Sequence, residues 1–284
     1  MMRLVRVWLP NAPALVLYTG FLVTPLIMTG LLSFQQNNQA AEVLGPLTLA
    51  NWREVFADEY YLGIFARTLR IACLVTGFAI GLGATEAYIL SRMRAPWRSL
   101  FLLIVLTPLL ISVIARTLGW ALLFGPNGPL GNLPVWLGLS RQPLQFLFSE
   151  TGIEVALIHV LTPFMVLSVW ASLQQLDPQV ENAATSLGAS RLAAFRRVIL
   201  PQILPGVLSG AIIVFTFSSS AFATPAIIGG RRLKVVSVLV YDEFVHQMNW
   251  PLGAALSMAL LLSLGLATAA ASRLVERRAT RGGE

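Results

Sequence analysis

Glu86, Arg116 and His159 each stand inside a long apolar run. In hydrocarbon an ionised group of this kind costs at least about 2.5–3.5 kcal/mol on insertion scales, so such residues face a cavity, a water path or a partner. Glu86 could attract a cationic substrate in a pathway. It could equally pair with Arg92 or Arg94, the first of them about one and a half turns later. Arg116, with Trp120 one turn on, could gate or contact a substrate, or it could anchor the chain at an interface or pair two helices. A fixed guanidinium there would repel a polycation. His159 could relay protons or hydrogen-bond a neighbouring helix. Ser218, Ser219 and Ser220, followed by Phe222 and Thr224, could line a pathway or let helices approach closely. Hydrolase chemistry has little support, because neither G-x-S-x-G nor H-E-x-x-H occurs. Nucleotide hydrolysis by this chain lacks its phosphate loop, G-x-x-x-x-G-K-[ST].

The elements that hold these residues are apolar throughout. Hydrophobic residues make up 56% of the 284 and charged ones 12%, and the mean hydropathy is +0.73. Soluble domains carry about 25% charge, since water meets their whole surface. One membrane domain over residues 1–284 is the expected organisation, with no soluble domain. The single thiol, Cys73, lies in an apolar run and reads as a small buried hydrophobe. The net charge of +7 is spread between apolar runs rather than gathered on one face. Nucleic acid is therefore not an expected partner, and the lipid bilayer is. The apolar run near the N-terminus continues to Phe34, longer than a signal peptide's core, and reads as an uncleaved first span.

Six segments reach the roughly 20 apolar residues that crossing needs: Ala12–Ser33, Ile64–Leu90, Ser99–Phe124, Gly152–Leu173, Pro205–Ile228 and Pro251–Ser272. Basic residues set the orientation. Arg3 and Arg6, then Arg92, Arg94 and Arg98, then Arg191, Arg196 and Arg197, then Arg273, Arg277, Arg278 and Arg281 all fall on one side. That side is read as cytoplasmic, with both termini on it. Arg231, Arg232 and Lys234 fall on the other side, partly balanced by Asp242 and Glu243. The outer segment Leu47–Trp52 reads as a short interfacial element, with Asn51 as the N-cap of a helix through Phe56.

Between the fourth and fifth spans, residues 174–204 form a polar interruption on the cytoplasmic side. Asp177-Pro178 is a helix-start signal. Val180, Ala183, Ala184 and Leu187 recur at i, i+3, i+4 and i+7 and share one apolar face. Gly188 can end that helix with a positive φ, and Ser190 can cap a second one. There Leu192, Phe195, Val198 and Ile199 form an apolar side, and Arg191, Arg196 and Arg197 point elsewhere. Pro201 and Pro205 are expected to break the path into the fifth span. A helical hairpin with a greasy face and small residues suits docking in a groove of another protein. It could also pack on its own bundle or lie on lipid.

The hairpin resembles the EAA loop of permease subunits of binding-protein-dependent ABC importers. That loop reads Glu-Ala-Ala, three residues, Gly, nine residues, Ile, one residue, Leu-Pro. Here Asn182-Ala183-Ala184, Gly188, Val198 and Leu200-Pro201 keep the spacing. Asn182 stands in the usual Glu position, with Glu181 just before it, and Val198 replaces Ile. Leu47–Phe56, Arg116-Thr117-Leu118-Gly119-Trp120, His159 with Pro163-Phe164, and Phe222–Gly230 are similar to permeases of the spermidine/putrescine type.

The resemblance implies an all-α membrane protein of MetI-like architecture with six transmembrane helices. It implies a permease that does no chemistry and binds no cofactor, with ATP and Mg held by separate ATPase subunits forming a cytoplasmic dimer. Those subunits would receive the hairpin through Glu181, Asn182, Ala183, Ala184, Gly188, Phe195, Leu200 and Pro201. A second, related permease and an external substrate-binding protein complete the expected assembly, in a bacterial inner membrane. On this reading Glu86, Arg116, Trp120, Ser220, Phe222 and Thr224 are the candidate pathway residues, and the substrate is a polyamine or a related amine or amino-acid-like solute. A secondary transporter or channel without an ATPase would share the spans and the buried charges, but it has no use for the hairpin's spacing.

Overall fold

A computed structural model describes residues 12–37, 45–176, 179–180, 184, 186, 188–230 and 232–281. Among these the chain is helical, apart from one isolated bridge between Gln35 and Leu47. The helices are α1 (Ala12–Leu32), α2 (Ala50–Ala57), α3 (Glu59–Arg92), α4 (Trp97–Leu110), α5 (Val113–Phe124), α6 (Pro129–Trp136), α7 (Glu150–Gln174), α8 (Leu200–Ser220), α9 (Val236–Tyr241) and α10 (Trp250–Arg281). Stretches of α3, α7, α8 and α10 are long and apolar enough to cross a membrane, and a fifth crossing would combine the bent pair Trp97–Leu110 and Val113–Trp136. The apolar stretch of α1, Val16–Leu32, is shorter.

The chain divides into two compact units. One joins the N-terminal part through Gly63 with Leu239–Ser263, and the other joins Ile64–Val238 with the C-terminal part from Leu264. In the first, α2 is fastened to the end of α1. The Asn51 amide donates to the carbonyls of Ser33 (3.0 Å) and Gln35 (2.8 Å). Trp52 donates to Ser33 Oγ at 3.1 Å and stacks between Phe34 and Phe56. Asn51 is thus not the N-cap expected from sequence. It lies inside the first turn, where its side chain satisfies carbonyls freed by the end of α1, and Leu49 occupies the cap position without a side-chain bond.

In the second unit α7 and α8 pack most closely. Gly206 and Gly210, one turn apart, set the backbone of α8 against Ser168, Ser172 and Met165 of α7, and Ser168 Oγ donates to the Gly206 carbonyl at 2.8 Å. Small residues at this spacing let two helices touch without side chains between them. α3 runs alongside in the same direction as α7. Arg67 and Arg70 meet Glu150 at one end, and Gly83 abuts Met165 and Thr162 further along. One face of α3 is buried in this core through Ile71, Val75, Ala79, Ala87 and Leu90. Its other face exposes Leu74, Phe78, Leu82 and Ile89, and Cys73, expected to be buried, is exposed as well. A helix that is apolar all round belongs in a membrane or a large protein interior.

Two expected spans take a different course. The segment expected as one helix over Ser99–Phe124 is broken after Leu110, where Trp97–Leu110 and the following Val113–Trp136 meet at a bend of 96°. Pro108 supplies no N–H and crowds the preceding turn. Ile111 and Ser112 are extended, with ψ of 138° and 133°. The expected fifth span, Pro205–Ile228, instead ends at Ser220. Ala221 is extended, and Pro225–Gly229 forms a separate π-helical turn. Nor do Pro201 and Pro205 break its start, because α8 passes through both. Pro201 falls in the first turn of α8, directly after a π-turn over Phe195–Ile199 whose wider ring bonds Leu200 N–H to Phe195 O. The altered register absorbs the missing proline donor.

Arg67, Arg70 and Glu150 tie the end of this unit that lies away from the hairpin. Arg67 Nε donates to Glu150 Oε1 and its Nη1 to the Lys234 carbonyl, both at 3.1 Å. Arg70 donates to the other Glu150 oxygen. Thr68 Oγ1 accepts from Val236 N–H at 3.0 Å. The returning segment Lys234–Val236 is therefore held by α3. Arg67→Ala removes both an ion pair and a backbone contact, whereas Arg70 is 59% exposed and has only the pair. Hydrogen bonds to charged groups contribute about 1.5–3 kcal/mol, reduced here by partial exposure. Arg67→Ala is expected to lower the Tm of the detergent-purified protein by several degrees, and Arg70→Ala by less than half as much, in a thermal-shift measurement.

Candidate functional site

The C-terminal end of α7 and the N-terminal end of α8 carry the hairpin. Its described residues Gln179, Val180, Ala184 and Ser186 are helical. Gly188 has φ +89°, and Ala189 N–H bonds back to the Ala184 carbonyl at 3.1 Å. This is a helix terminated in the left-handed conformation, as the glycine implied. Ser190 then caps the second arm, its Oγ accepting from Ala193 N–H at 3.3 Å. Asp177, Pro178, Glu181, Asn182, Ala183 and Leu187 lie outside the described residues.

The second arm is not a separate short helix. It begins at Arg191 and passes without a break through the π-turn into α8. Arg196, Arg197 and Leu200 are exposed, while Ala194 and Ile199 are buried. Phe195 turns toward the chain's own bundle and packs edge-on against Tyr88 of α3, with ring centroids 4.9 Å apart. Arg92 donates to Tyr88 OH at 3.0 Å and lies 5.0 Å from that ring's centroid. The turn at Gly188 is thus linked to α8 through the backbone and to α3 through Phe195 and Tyr88.

A cavity of about 1040 Å³ opens between α3, α4 and α7, with Trp120 of α5 at its edge. Its walls are chiefly apolar, and Glu86, Glu154 and His159 contribute the ionisable groups. Among the sequence candidates, Glu86 and Trp120 line it, whereas Arg116, Ser220, Phe222 and Thr224 do not. Glu86 does not form the alternative ion pair with Arg92 or Arg94. It is half-buried on the cavity face of α3, while Arg92 engages Tyr88. Trp120 Nε1 donates to His159 Nδ1 at 3.3 Å, so His159 makes a helix–helix bond in this geometry.

Arg116 donates to the Pro108 carbonyl across the bend. That carbonyl has lost its helical partner because α4 ends at Leu110. Thr224 is buried and its hydroxyl meets that of Thr117 at 3.2 Å, joining α5 to the segment after α8. Ser218 and Ser219 are buried, and Ser220 bonds to the Thr216 carbonyl at 2.9 Å. The sequence reading missed Glu154, Arg67 and Arg70. All three are ionisable residues within predicted spans, the same signal that singled out Glu86.

Apolar helices of spanning length, a chiefly apolar cavity open at the surface and a glycine-turned hairpin between α7 and α8 fit a membrane transport protein. The chain belongs to the family of binding-protein-dependent transport system inner membrane components, whose model matches residues 77–281. It is a multi-pass inner-membrane permease subunit of an ABC importer. It is 28% identical to the spermidine/putrescine transport system permease protein PotB of Escherichia coli (strain K12), over 91% of this chain and 94% of that one. It is 27% identical to the sulfate transport system permease protein CysT of Salmonella typhimurium (strain LT2), over 86% of this chain and 87% of the other. The fold is shared with a bacterial ABC transporter involved in import of the acidic polysaccharide alginate, at TM-score 0.79 and 18% identity, covering 96% of each chain.

Proposed function

We propose that this chain is a single permease domain with six crossings, both termini in the cytoplasm, and a pathway for a polyamine or a related amine. The observation that carries the coupling part is the Gly188 turn. It sits at the family spacing and continues as one helical path into α8. A hairpin joined in this way moves as a lever when a partner displaces its tip. The partners on this reading are a cytoplasmic ATPase dimer that holds ATP and Mg, a second related permease, and an external binding protein. The chain itself needs no cofactor. Glu181, Asn182, Ala183, Ala184, Gly188, Leu200 and Pro201 face the ATPase, and Phe195 joins the hairpin to α3. The amine assignment rests on the likeness to the spermidine/putrescine permeases and on the carboxylates of the cavity, which suit a cation. The likeness to a sulfate permease makes sulfate the informative competitor.

Co-expression with a cognate ATPase, second permease and binding protein tests this reading. The ATPase is expected to co-purify, and proteoliposomes are expected to take up radiolabelled spermidine or putrescine only with ATP inside the nucleotide-accessible compartment. Uptake driven by an ion gradient without ATP would overturn the importer reading. ATP-driven uptake of sulfate without amine would overturn the substrate alone.

A further inference from the structure

We propose that Glu154 and Glu86 are two successive stations for the ammonium groups of a linear polyamine crossing the cavity. The inference rests on the importer reading above and adds the binding groups and their order. Both carboxylates line the one cavity. Among the described residues neither is hydrogen-bonded or paired at contact distance. The contrast with Glu150, one turn before Glu154 on α7, is informative. Glu150 is gripped by both Arg67 and Arg70, as a structural carboxylate in a spanning segment should be. Arg70 bonds Glu150 and reaches Glu154 only through the field of its charge, not by contact. An intramembrane carboxylate without such a partner carries the cost of its charge without fastening anything, and a cation must come from elsewhere to offset it.

The register of the helices gives the spacing. α3 and α7 are parallel, with residues 67–70 beside Glu150 and Gly83 beside Thr162 and Met165. Glu154 is then level with about residue 72 of α3. Glu86 lies about fourteen residues further along, roughly 20 Å at 1.5 Å per residue. An extended chain advances roughly 1.2 Å per bond, as three bonds per residue of extended backbone imply. A four-carbon diamine therefore spans about 6 Å and cannot reach both carboxylates together. It must be handed on from Glu154 to Glu86. The wall between them presents Phe78, Phe101 and Trp120. These suit a methylene chain, and their ring faces attract an ammonium in transit. An inorganic anion finds no such match, since the carboxylates repel it and Arg116 is turned to the Pro108 carbonyl.

The test uses the complete transporter, with its ATPase and binding protein, in proteoliposomes, and radiolabelled putrescine and spermidine as probes. Glu154→Gln is expected to raise KM for uptake roughly tenfold, because it removes the entry station. Glu86→Gln is expected to lower kcat roughly tenfold with KM little changed, because the amine is held at Glu154. Glu154→Asp and Glu86→Asp should retain most of the uptake. A second readout needs no variant: putrescine or spermidine should protect Glu86 and Glu154 of the wild-type protein from a hydrophobic carbodiimide, as read by mass spectrometry. Wild-type amine uptake by both Gln variants, or unprotected carboxylates under saturating amine, would overturn the stations and leave the importer reading standing. ATP-driven transport of another solute with no amine uptake would overturn the stations together with the amine assignment.

Discussion

Gly188→Val is expected to abolish coupled transport while leaving the protein folded and membrane-inserted. At φ +89° a β-branched residue is a steric outlier, and left-handed backbone costs an ordinary L-residue roughly 1–2 kcal/mol. The turn would relax to another geometry, releasing Ala189 N–H from the Ala184 carbonyl and re-aiming the first arm of the hairpin. Among the described residues, apart from its chain neighbours, nothing lies within 4 Å of a Cβ placed on Gly188, so the described bundle has no reason to distort. ATP hydrolysis by the associated ATPase should continue, and substrate uptake per ATP should fall roughly tenfold or more. Gly188→Asn separates two causes, because Asn tolerates the left-handed region. If backbone shape is what matters, Asn restores most of the uptake. If a partner also needs the empty space beside Gly188, Asn fails as Val does. Uptake per ATP at the wild-type level in the Val variant would sink the lever.

Gly206→Leu is expected to produce the largest loss of stability. A Cβ at this position would overlap Ser172 Oγ and come within 2.8 Å of the Ser168 carbonyl oxygen. The Ser172 side chain can rotate away, but the Ser168 carbonyl is part of the α7 backbone and cannot. The helices must separate, which breaks the 2.8 Å bond from Ser168 Oγ to the Gly206 carbonyl and opens the contact between Gly210 and Met165. Overpacking of this kind costs about 1–3 kcal/mol, and a lost interhelical bond adds about 0.6 kcal/mol. The purified variant should show a Tm lower by several degrees and a larger fraction of aggregate on size-exclusion chromatography. Gly206→Ala should fall between it and wild type. An unchanged Tm for the Leu variant would mean that α7 and α8 are not locked at this contact.

Much of this molecule follows from local chemistry. Apolar runs of spanning length, the Gly188 turn and the Ser190 cap were legible because each depends on a few neighbouring residues: chain length against bilayer thickness, a missing Cβ, a hydroxyl one turn before an N–H. The family likeness was legible too, since it lies in fixed spacings. Other features depend on groups far apart in the chain. The bend after Pro108 could not be told from a tolerated kink, because the carbonyl it frees is met by Arg116, two turns later. Pro201 reads as a breaker, and only the π-turn before it lets α8 continue. Asn51 has the side chain of a cap, yet the open carbonyls at the end of α1 claim it. Glu86 could not be assigned to pairing or to the cavity until Arg92 was seen on Tyr88. Glu150 and Glu154 look alike in sequence, one turn apart on the same helix. The register of α3 against α7 brings two guanidinium groups to Glu150 and leaves Glu154 half-buried on the cavity wall, without an ion pair at contact distance.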